Sequence, residues 1–274
     1  MHKIFGENFG TPSPFSPENF TNESHNSKIT CYSEYITGRK KIIFVPGIVP
    51  VVKRTYASQI AHLKSLGRYN VCGADYAECG FSITEFEDTL IRSIEQDEEV
   101  SLVATSFGTR VVTDILANNP PLASRISELV LFGPFCEIDR SKGTLALIKS
   151  FRSKIPVSSL GLLEEPVVRL ARSKFNYDPN FYKDDDDKAK MIQETAILGL
   201  TARMSYFSRP FDFDRKIDTP TTIVWWEKEP SSQKQKNSFT SMFTNVQTEH
   251  VKGKHGHLQT EAQDICQVLD KCIF

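Results

Sequence analysis

The chain has 274 residues, of which 39% are hydrophobic and 24% are charged, and its formal net charge is −1. This length and composition are typical of one globular domain, or of one domain with a sizeable insertion. So small a net charge gives no support for nucleic-acid binding, and no run of about eighteen apolar residues indicates a membrane-spanning helix.

The N-terminal segment, residues 1–28, is rich in Asn, Ser, Pro and Gly, a composition typical of loops. It lacks the apolar core of a signal peptide, so the sequence does not predict secretion. The cysteines are scattered without a CxxC pair, which is typical of free thiols in a reducing compartment. We therefore expect a cytoplasmic protein. The cysteines are Cys31, Cys72, Cys79, Cys136, Cys266 and Cys272.

From Lys40 onward, short apolar runs alternate with amphipathic segments of helical periodicity. The predicted strands are KKIIFVPGI, NVCGAD, VSLVAT, ISELVLFGPF and PTTIVWW. The predicted helices are YASQIAHLKSLG, ITEFEDTLIRSIEQ, FGTRVVTDILANN and a last one close to the C-terminus. This alternation is typical of βαβ units, so we expect an α/β fold with a mostly parallel central sheet and helices on both faces.

The alternation stops between about Glu137 and Phe213, where the sequence has helical periodicity but no convincing strand. We expect residues 139–211 to form a helical cap inserted after the sixth strand of a core made of residues 1–138 and 212–274. The first half of this cap is basic, which indicates either a solvated helix face or a docking surface for an acidic partner. Its basic residues are Arg140, Lys142, Lys149, Arg152, Lys154, Arg169, Arg172 and Lys174.

A serine occupies the short bend between the strand VSLVAT and the next helix. A bend this sharp needs small residues two positions before and two after Ser106, and these are Ala104 and Gly108. It would expose the serine hydroxyl at the positive end of a helix, with the Phe107 N–H facing a developing oxyanion. The sequence therefore predicts a nucleophile at Ser106, although a helix N-cap serine is the simpler alternative.

A nucleophilic serine needs a base, a group that orients the base and a second oxyanion donor, and candidates follow in chain order. The Gly turn in FVPGIVP offers the N–H of Ile48. The late strand TIVWWEKEP ends with Glu227 and Glu229, and VKGKHGHLQTEA carries His255 and His257 before the last helix.

These motifs resemble those of the α/β-hydrolase family from about residue 40 to the end, apart from the insertion. VCGADYAECGFS resembles the segment that contains the family's fourth strand. TPTTIVWWEKEP is similar to the family's P-T-apolar-apolar-W-G-E-K-D-P, which implies that Glu229 is the catalytic acid. GKHGHL resembles the loop with the catalytic histidine, a Gly-His followed by an apolar residue, which favours His257 over His255.

The sequence departs from the family pattern at three places. The usual His-Gly oxyanion motif is Pro46-Gly47, the usual Gly-His-Ser elbow has Ala104 in place of its glycine, and the acid is Glu instead of Asp. Glu227 remains an alternative acid, and so do Glu137 and Asp139, since some family members place the acid after the preceding strand. His250 is the third histidine candidate. A metal site built from the three histidines lacks a matching carboxylate.

The resemblance implies a serine hydrolase that cleaves a carboxylic ester or thioester through an acyl-enzyme. His257 would accept the Ser106 proton, Glu229 would orient the imidazole, and the N–H groups of Ile48 and Phe107 would bind the oxyanion. No cofactor and no metal are required. The expected partner is a small-molecule or carrier-bound acyl substrate, with an acidic carrier protein at the basic cap surface and no nucleic acid.

Other activities are compatible with the same scaffold, because a fold does not determine its chemistry. An acyltransferase or a hydrolase of carbon–carbon bonds would use the same serine. A non-catalytic ligand receptor would keep the three side chains without using them.

Overall fold

The computed structural model of the chain describes residues 27–47, 52–76, 82–97, 99–134, 206 and 216–273. Within these ranges seven strands form one sheet. The strands are β1 (Lys28–Cys31), β2 (Lys41–Val45), β3 (Asn70–Asp75), β4 (Val100–Thr105), β5 (Ile126–Phe132), β6 (Thr221–Lys228) and β7 (Val246–Lys254). The helices are α1 (Val52–Thr55), α2 (Ala57–Ser65), α3 (Ile83–Glu95), α4 (Phe107–Asn118), α5 (Pro120–Ala123), α6 (Gln233–Thr240) and α7 (Ala262–Ile273).

The strands lie in the order β1-β3-β2-β4-β5-β6-β7, and every neighbouring pair is parallel except β1 with β3. The predicted mostly parallel sheet is therefore confirmed. Central strands of such a sheet are covered on both faces, which explains why β2, β4 and the end of β5 are continuous runs of buried residues.

Alternate residues of each strand point to opposite faces, so the core has two layers. Ile43 and Val45 of β2 pack on the face that carries α3 and α4. Ile42 and Phe44 pack on the other face, which carries α2 and α7. Helices on both faces were expected from the alternation of strands and helices in the sequence.

The two edge strands of the sheet, β1 and β7, were missed by the sequence analysis. In β7 only Val251 is fully buried, and no residue of β1 is. Neither strand therefore contains the apolar run by which the buried central strands were found.

The predicted cap, residues 139–211, lies outside the described residues except for Tyr206. The strand described immediately before it is β5. Tyr206 is buried against the core, with its ring centroid 6.1 Å from that of Phe107, and its hydroxyl donates to the Asp114 carboxylate. In the described part of the chain, no helix has both the length and the apolar character needed to cross a membrane.

Candidate active site

Three strands of the sheet end at polar side chains that meet above its carboxyl edge. Ser106 is the first residue after β4, Glu229 the first after β6, and His255 the first after β7. Lys228 and Lys254 are register partners at the ends of β6 and β7, so Glu229 and His255 leave the sheet side by side. In parallel sheets, ligands bind at this edge.

Ser106 occupies the strained bend that its sequence context predicted. It is the one non-glycine residue with positive φ in the described ranges, with φ 49° and ψ −114°. This conformation is costly for an L-amino acid and persists only where the surrounding structure enforces it. The Ser106 N–H donates to the Phe132 carbonyl at 2.9 Å, which ties the bend to β5.

The residues on either side of the bend are small because the backbone passes close to them. A Cβ atom on Gly108 would lie 2.3 Å from the Pro46 carbonyl oxygen and 2.9 Å from that of Val45. Ala104, two residues before the serine, is fully buried. The helix can thus follow the serine directly only if position 108 has no side chain.

Gly108→Ala is expected to lower the free energy of unfolding by about 1–3 kcal/mol, because the added methyl group meets backbone atoms that have little room to move. Chemical denaturation at constant pH would measure the loss. Gly47→Ala is the matched control, since its added Cβ would have ordinary contacts of 3.5 Å or more. Equal stability of the two variants would contradict the close packing of Gly108.

His255 lies between the serine and the carboxylate. Its Nε2 is 2.9 Å from Ser106 Oγ, and its Nδ1 is 2.8 Å from Glu229 Oε1. Its side chain is 18% exposed, whereas that of Glu229 is completely buried. The arrangement can move a proton from the serine hydroxyl to the imidazole while the carboxylate holds the ring in place.

The structure corrects the choice of His257 as the histidine that contacts the serine. Strand β7 continues to Lys254, so His255 is the residue that emerges at the sheet edge. At Gly256 the backbone turns with φ 81°, and the His257 N–H donates to the Lys254 carbonyl. His257 therefore belongs to the turn that leads toward α7.

Glu229 is the carboxylate that the structure places against His255, whereas the sequence analysis expected it beside His257. Glu227 is exposed, two residues earlier in β6. Glu137 and Asp139, the remaining alternatives, lie outside the described residues. Among the described residues, no group of three or more His, Cys, Asp or Glu side chains could hold a metal ion.

Gly133, the first residue after β5, is a site residue that the sequence analysis missed. A Cβ atom there would lie 2.8 Å from Trp226 Nε1 and 2.9 Å from His255 Nδ1, and its φ is 53°. The imidazole and the indole therefore occupy the space that a side chain would take. The signal in the sequence was the glycine at the end of LVLFGP, at the edge of the sheet where the other site residues lie.

The oxyanion donors expected from the sequence are partly within the described residues. Phe107 follows Ser106 directly and is the first residue of α4, so its N–H lies at the amino end of that helix. Ile48 lies outside the described residues, but Gly47 before it passes Ser106, since a Cβ on Gly47 would lie 3.5 Å from Ser106 Cβ. The loop thus leaves β2 beside the nucleophile.

Two tyrosine hydroxyls fix the start of this loop. Tyr76 donates to the Pro46 carbonyl at 2.9 Å, and Tyr56 donates to the Val45 carbonyl at 3.0 Å. Both tyrosines are buried. Hydrogen bonds in buried surroundings hold the peptide planes that lead to Ile48 in one orientation.

Comparison of the sequence with protein-family models and with curated proteins gives no match. Solved structures do share its fold. An α/β hydrolase enzyme from a Medee basin deep-sea metagenome library has 13% identity and a TM-score of 0.65, over 89% of this chain and 93% of its own.

Two further structures are similar to the same extent. A thermophilic esterase from Thermogutta terrifontis has 14% identity and a TM-score of 0.63, over 89% of this chain and 92% of its own. The type II thioesterase of the borrelidin biosynthetic cluster has 12% identity and a TM-score of 0.61, over 89% and 96%. The chain has the α/β-hydrolase fold.

Proposed function

We propose that the protein is a serine hydrolase that cleaves a carboxylic ester or thioester. The observation that carries the proposal is the continuous chain from Ser106 Oγ through the His255 ring to the buried Glu229 carboxylate, with 2.9 Å and 2.8 Å between the atoms. A strained serine at the start of a helix, in contact with an oriented imidazole, is the arrangement of an activated nucleophile.

In this mechanism His255 Nε2 accepts the Ser106 proton while Oγ attacks the substrate carbonyl. Glu229 holds the Nδ1–H and stabilises the imidazolium that forms. The N–H groups of Phe107 and Ile48 bind the tetrahedral oxyanion, and His255 then gives its proton to the leaving alcohol or thiol. Water, activated by the same imidazole, cleaves the acyl-enzyme. These steps use no cofactor.

The first experiment is labelling of the wild-type protein with a fluorophosphonate probe, followed by assays with a short p-nitrophenyl ester and an acyl thioester. We expect one covalent adduct, on the peptide that contains Ser106, and turnover of at least one substrate. Absence of both labelling and turnover would favour the receptor alternative. An adduct on another serine would contradict the proposed nucleophile.

The basic first half of segment 139–211 supports a narrower proposal, in which the acyl group arrives on an acidic carrier protein or a phosphorylated carrier. Its charges would attract such a carrier, and salt would screen that attraction. We expect kcat/KM for a carrier-bound acyl group to fall with ionic strength, while that for a neutral p-nitrophenyl ester stays constant. An equal salt response of both substrates would rule out steering by this segment.

Glu229→Gln is expected to lower kcat roughly 10²- to 10⁴-fold, because the amide stabilises the wrong imidazole tautomer and does not balance the imidazolium charge. Steady-state ester hydrolysis measures the loss. Glu227→Gln is the matched control and should keep activity within about twofold, since surface substitutions are usually near neutral. A large loss in the control with an active Glu229→Gln would reassign the acid.

Tyr76→Phe is expected to lower kcat roughly three- to thirty-fold with little change in KM, since it removes the bond that fixes the Pro46 carbonyl before the oxyanion loop. The effect should be smaller than the 10²–10³-fold typical of losing an oxyanion donor itself. Tyr35→Phe, at the partly exposed Tyr35 whose hydroxyl donates to Asp97, is the control. A change confined to KM would contradict this positioning role.

A further inference from the structure

Two cysteines face each other across the antiparallel edge of the sheet. The register of β1 with β3 places Cys31 directly opposite Cys72. The next pair along is hydrogen-bonded, since the Tyr32 N–H donates to the Val71 carbonyl at 2.8 Å. Hydrogen-bonded and non-hydrogen-bonded pairs alternate along an antiparallel ladder, so Cys31 and Cys72 form a non-hydrogen-bonded pair, in which side chains approach more closely.

This geometry suits a disulfide. The Cα atoms of a non-hydrogen-bonded pair are about 4.5 Å apart, inside the range of about 4.4–6.8 Å found for disulfides. The two side chains point to the same face of the sheet because the residues are directly opposite. Bond formation therefore requires no rearrangement of the sheet.

The two thiols differ in their surroundings. Cys31 is exposed, whereas Cys72 is fully buried. Burial, and after it the adjacent Cys31, raise the pKa of the Cys72 thiol. The exposed thiol is thus the one that an oxidant in solution reaches first, and the buried thiol is the one already in place to react with the product.

We infer that Cys31 and Cys72 form an oxidative modification site, at which hydrogen peroxide produces a cross-strand disulfide. The Cys31 thiolate attacks one peroxide oxygen, the O–O bond breaks, and water leaves with the thiol proton, so that Cys31 becomes a sulfenic acid. The Cys72 sulfur then attacks the Cys31 sulfur, the S–O bond breaks, and a second water carries off the Cys72 proton. Two thiols lose two electrons, and one peroxide is reduced to two waters.

The bridge would be accessible to reduction at its exposed end. Thiolate exchange requires access to a sulfur atom, and exposed disulfides are generally the labile ones. Cys31 ends a four-residue strand that, among the described strands, pairs only with β3. Oxidation would therefore fasten this edge of the sheet, and reduction would release it.

The other described cysteines lack this arrangement. Cys266 and Cys272 are six positions apart on α7, whereas residues share a helix face at spacings of three or four. Burial raises the pKa of the Cys266 thiol to about 11. Cys266 is thus an internal control for general thiol oxidation.

The test uses the full-length protein, reduced, freed of reductant and treated with hydrogen peroxide, after which remaining thiols are blocked with N-ethylmaleimide. Trypsin then produces one peptide of residues 29–39, with Cys31, and another of residues 69–92, with Cys72 and Cys79. We expect these two peptides to be joined, with the loss of two hydrogen atoms, and to separate after dithiothreitol. Fragment ions between Cys72 and Cys79 assign the bridge.

Variants separate the two candidate partners of Cys31. Cys79→Ser and Cys266→Ser should keep the linked peptides, and Cys31→Ser and Cys72→Ala should lose them. Oxidation should raise Tm by roughly 3–10 °C, because the bridge closes a loop of about forty residues, and the rise should be absent in Cys31→Ser. A link from Cys31 to Cys79, or an unbridged Cys31 oxidised to sulfinic acid, would overturn the inference.

Discussion

Replacing Ser106 with alanine is expected to lower kcat/KM for an activated ester by roughly 10³- to 10⁶-fold. The change removes the one atom that would form the proposed acyl-enzyme, the Oγ that lies 2.9 Å from His255 Nε2. What remains should be the slower attack of water, assisted by substrate binding and the oxyanion donors. Fluorophosphonate labelling should disappear with the same substitution.

Ser124→Ala is the matched control for this experiment. Ser124 is exposed at the end of α5, and its hydroxyl donates to the Pro121 carbonyl. The control should label and turn over substrate at the wild-type rate, and unfolding curves should show that both variants are folded. Undiminished activity of Ser106→Ala would refute the proposed mechanism as a whole.

His255→Ala and His257→Ala are expected to differ by roughly 10³-fold or more in kcat. Without the imidazole at position 255, no described group lies within hydrogen-bond distance of Ser106 Oγ to accept its proton. His257 belongs to the following turn, so its removal should change kcat by less than about threefold. The two variants lose the same side chain two positions apart, and each is therefore the control of the other.

Steady-state ester hydrolysis measures this contrast, and the rate of fluorophosphonate labelling measures it a second time without a substrate. Both rates should fall in His255→Ala, since both depend on activation of the serine. If His257→Ala were instead the inactive variant, the loop after β7 would have to place His257 beside Ser106 in the active protein.

The central strands of the sheet were predictable because buried parallel strands appear in the sequence as apolar runs. Lys41–Val45 and Val100–Thr105 are fully buried, and the sequence showed both as strands. The bend at Ser106 was predictable for a related reason. A strand followed at once by a helix, with Ala104 and Gly108 as small flanks, leaves few other conformations.

The choice of histidine depended on a strand that the sequence analysis did not find. Most residues of β7 are partly or fully exposed, so its polar sequence VQTEHVKGK lacks the pattern of a buried strand. If the end of β7 at Lys254 had been predicted, His255 would have been identified as the residue at the sheet edge. The family-like Gly-His motif favoured His257, but the structure places His255 beside Ser106.

Gly133 could not be assigned from its own neighbourhood in the sequence. Its role comes from the approach of Trp226 and His255, which are more than ninety residues away along the chain. Such contacts arise only when β5, β6 and β7 lie side by side. The pairing of Cys31 with Cys72 depends in the same way on the antiparallel edge.

The parallel pairing of β5 with β6 brings together parts of the site that are far apart in the sequence. Leu129 to Phe132 pair with Thr221 to Val224, and the Gly133 N–H donates to the Val224 carbonyl at 2.8 Å. The position of Glu229 relative to Ser106 is thus set by the ladder from β4 through β6, and not by the number of residues in the chain between those strands.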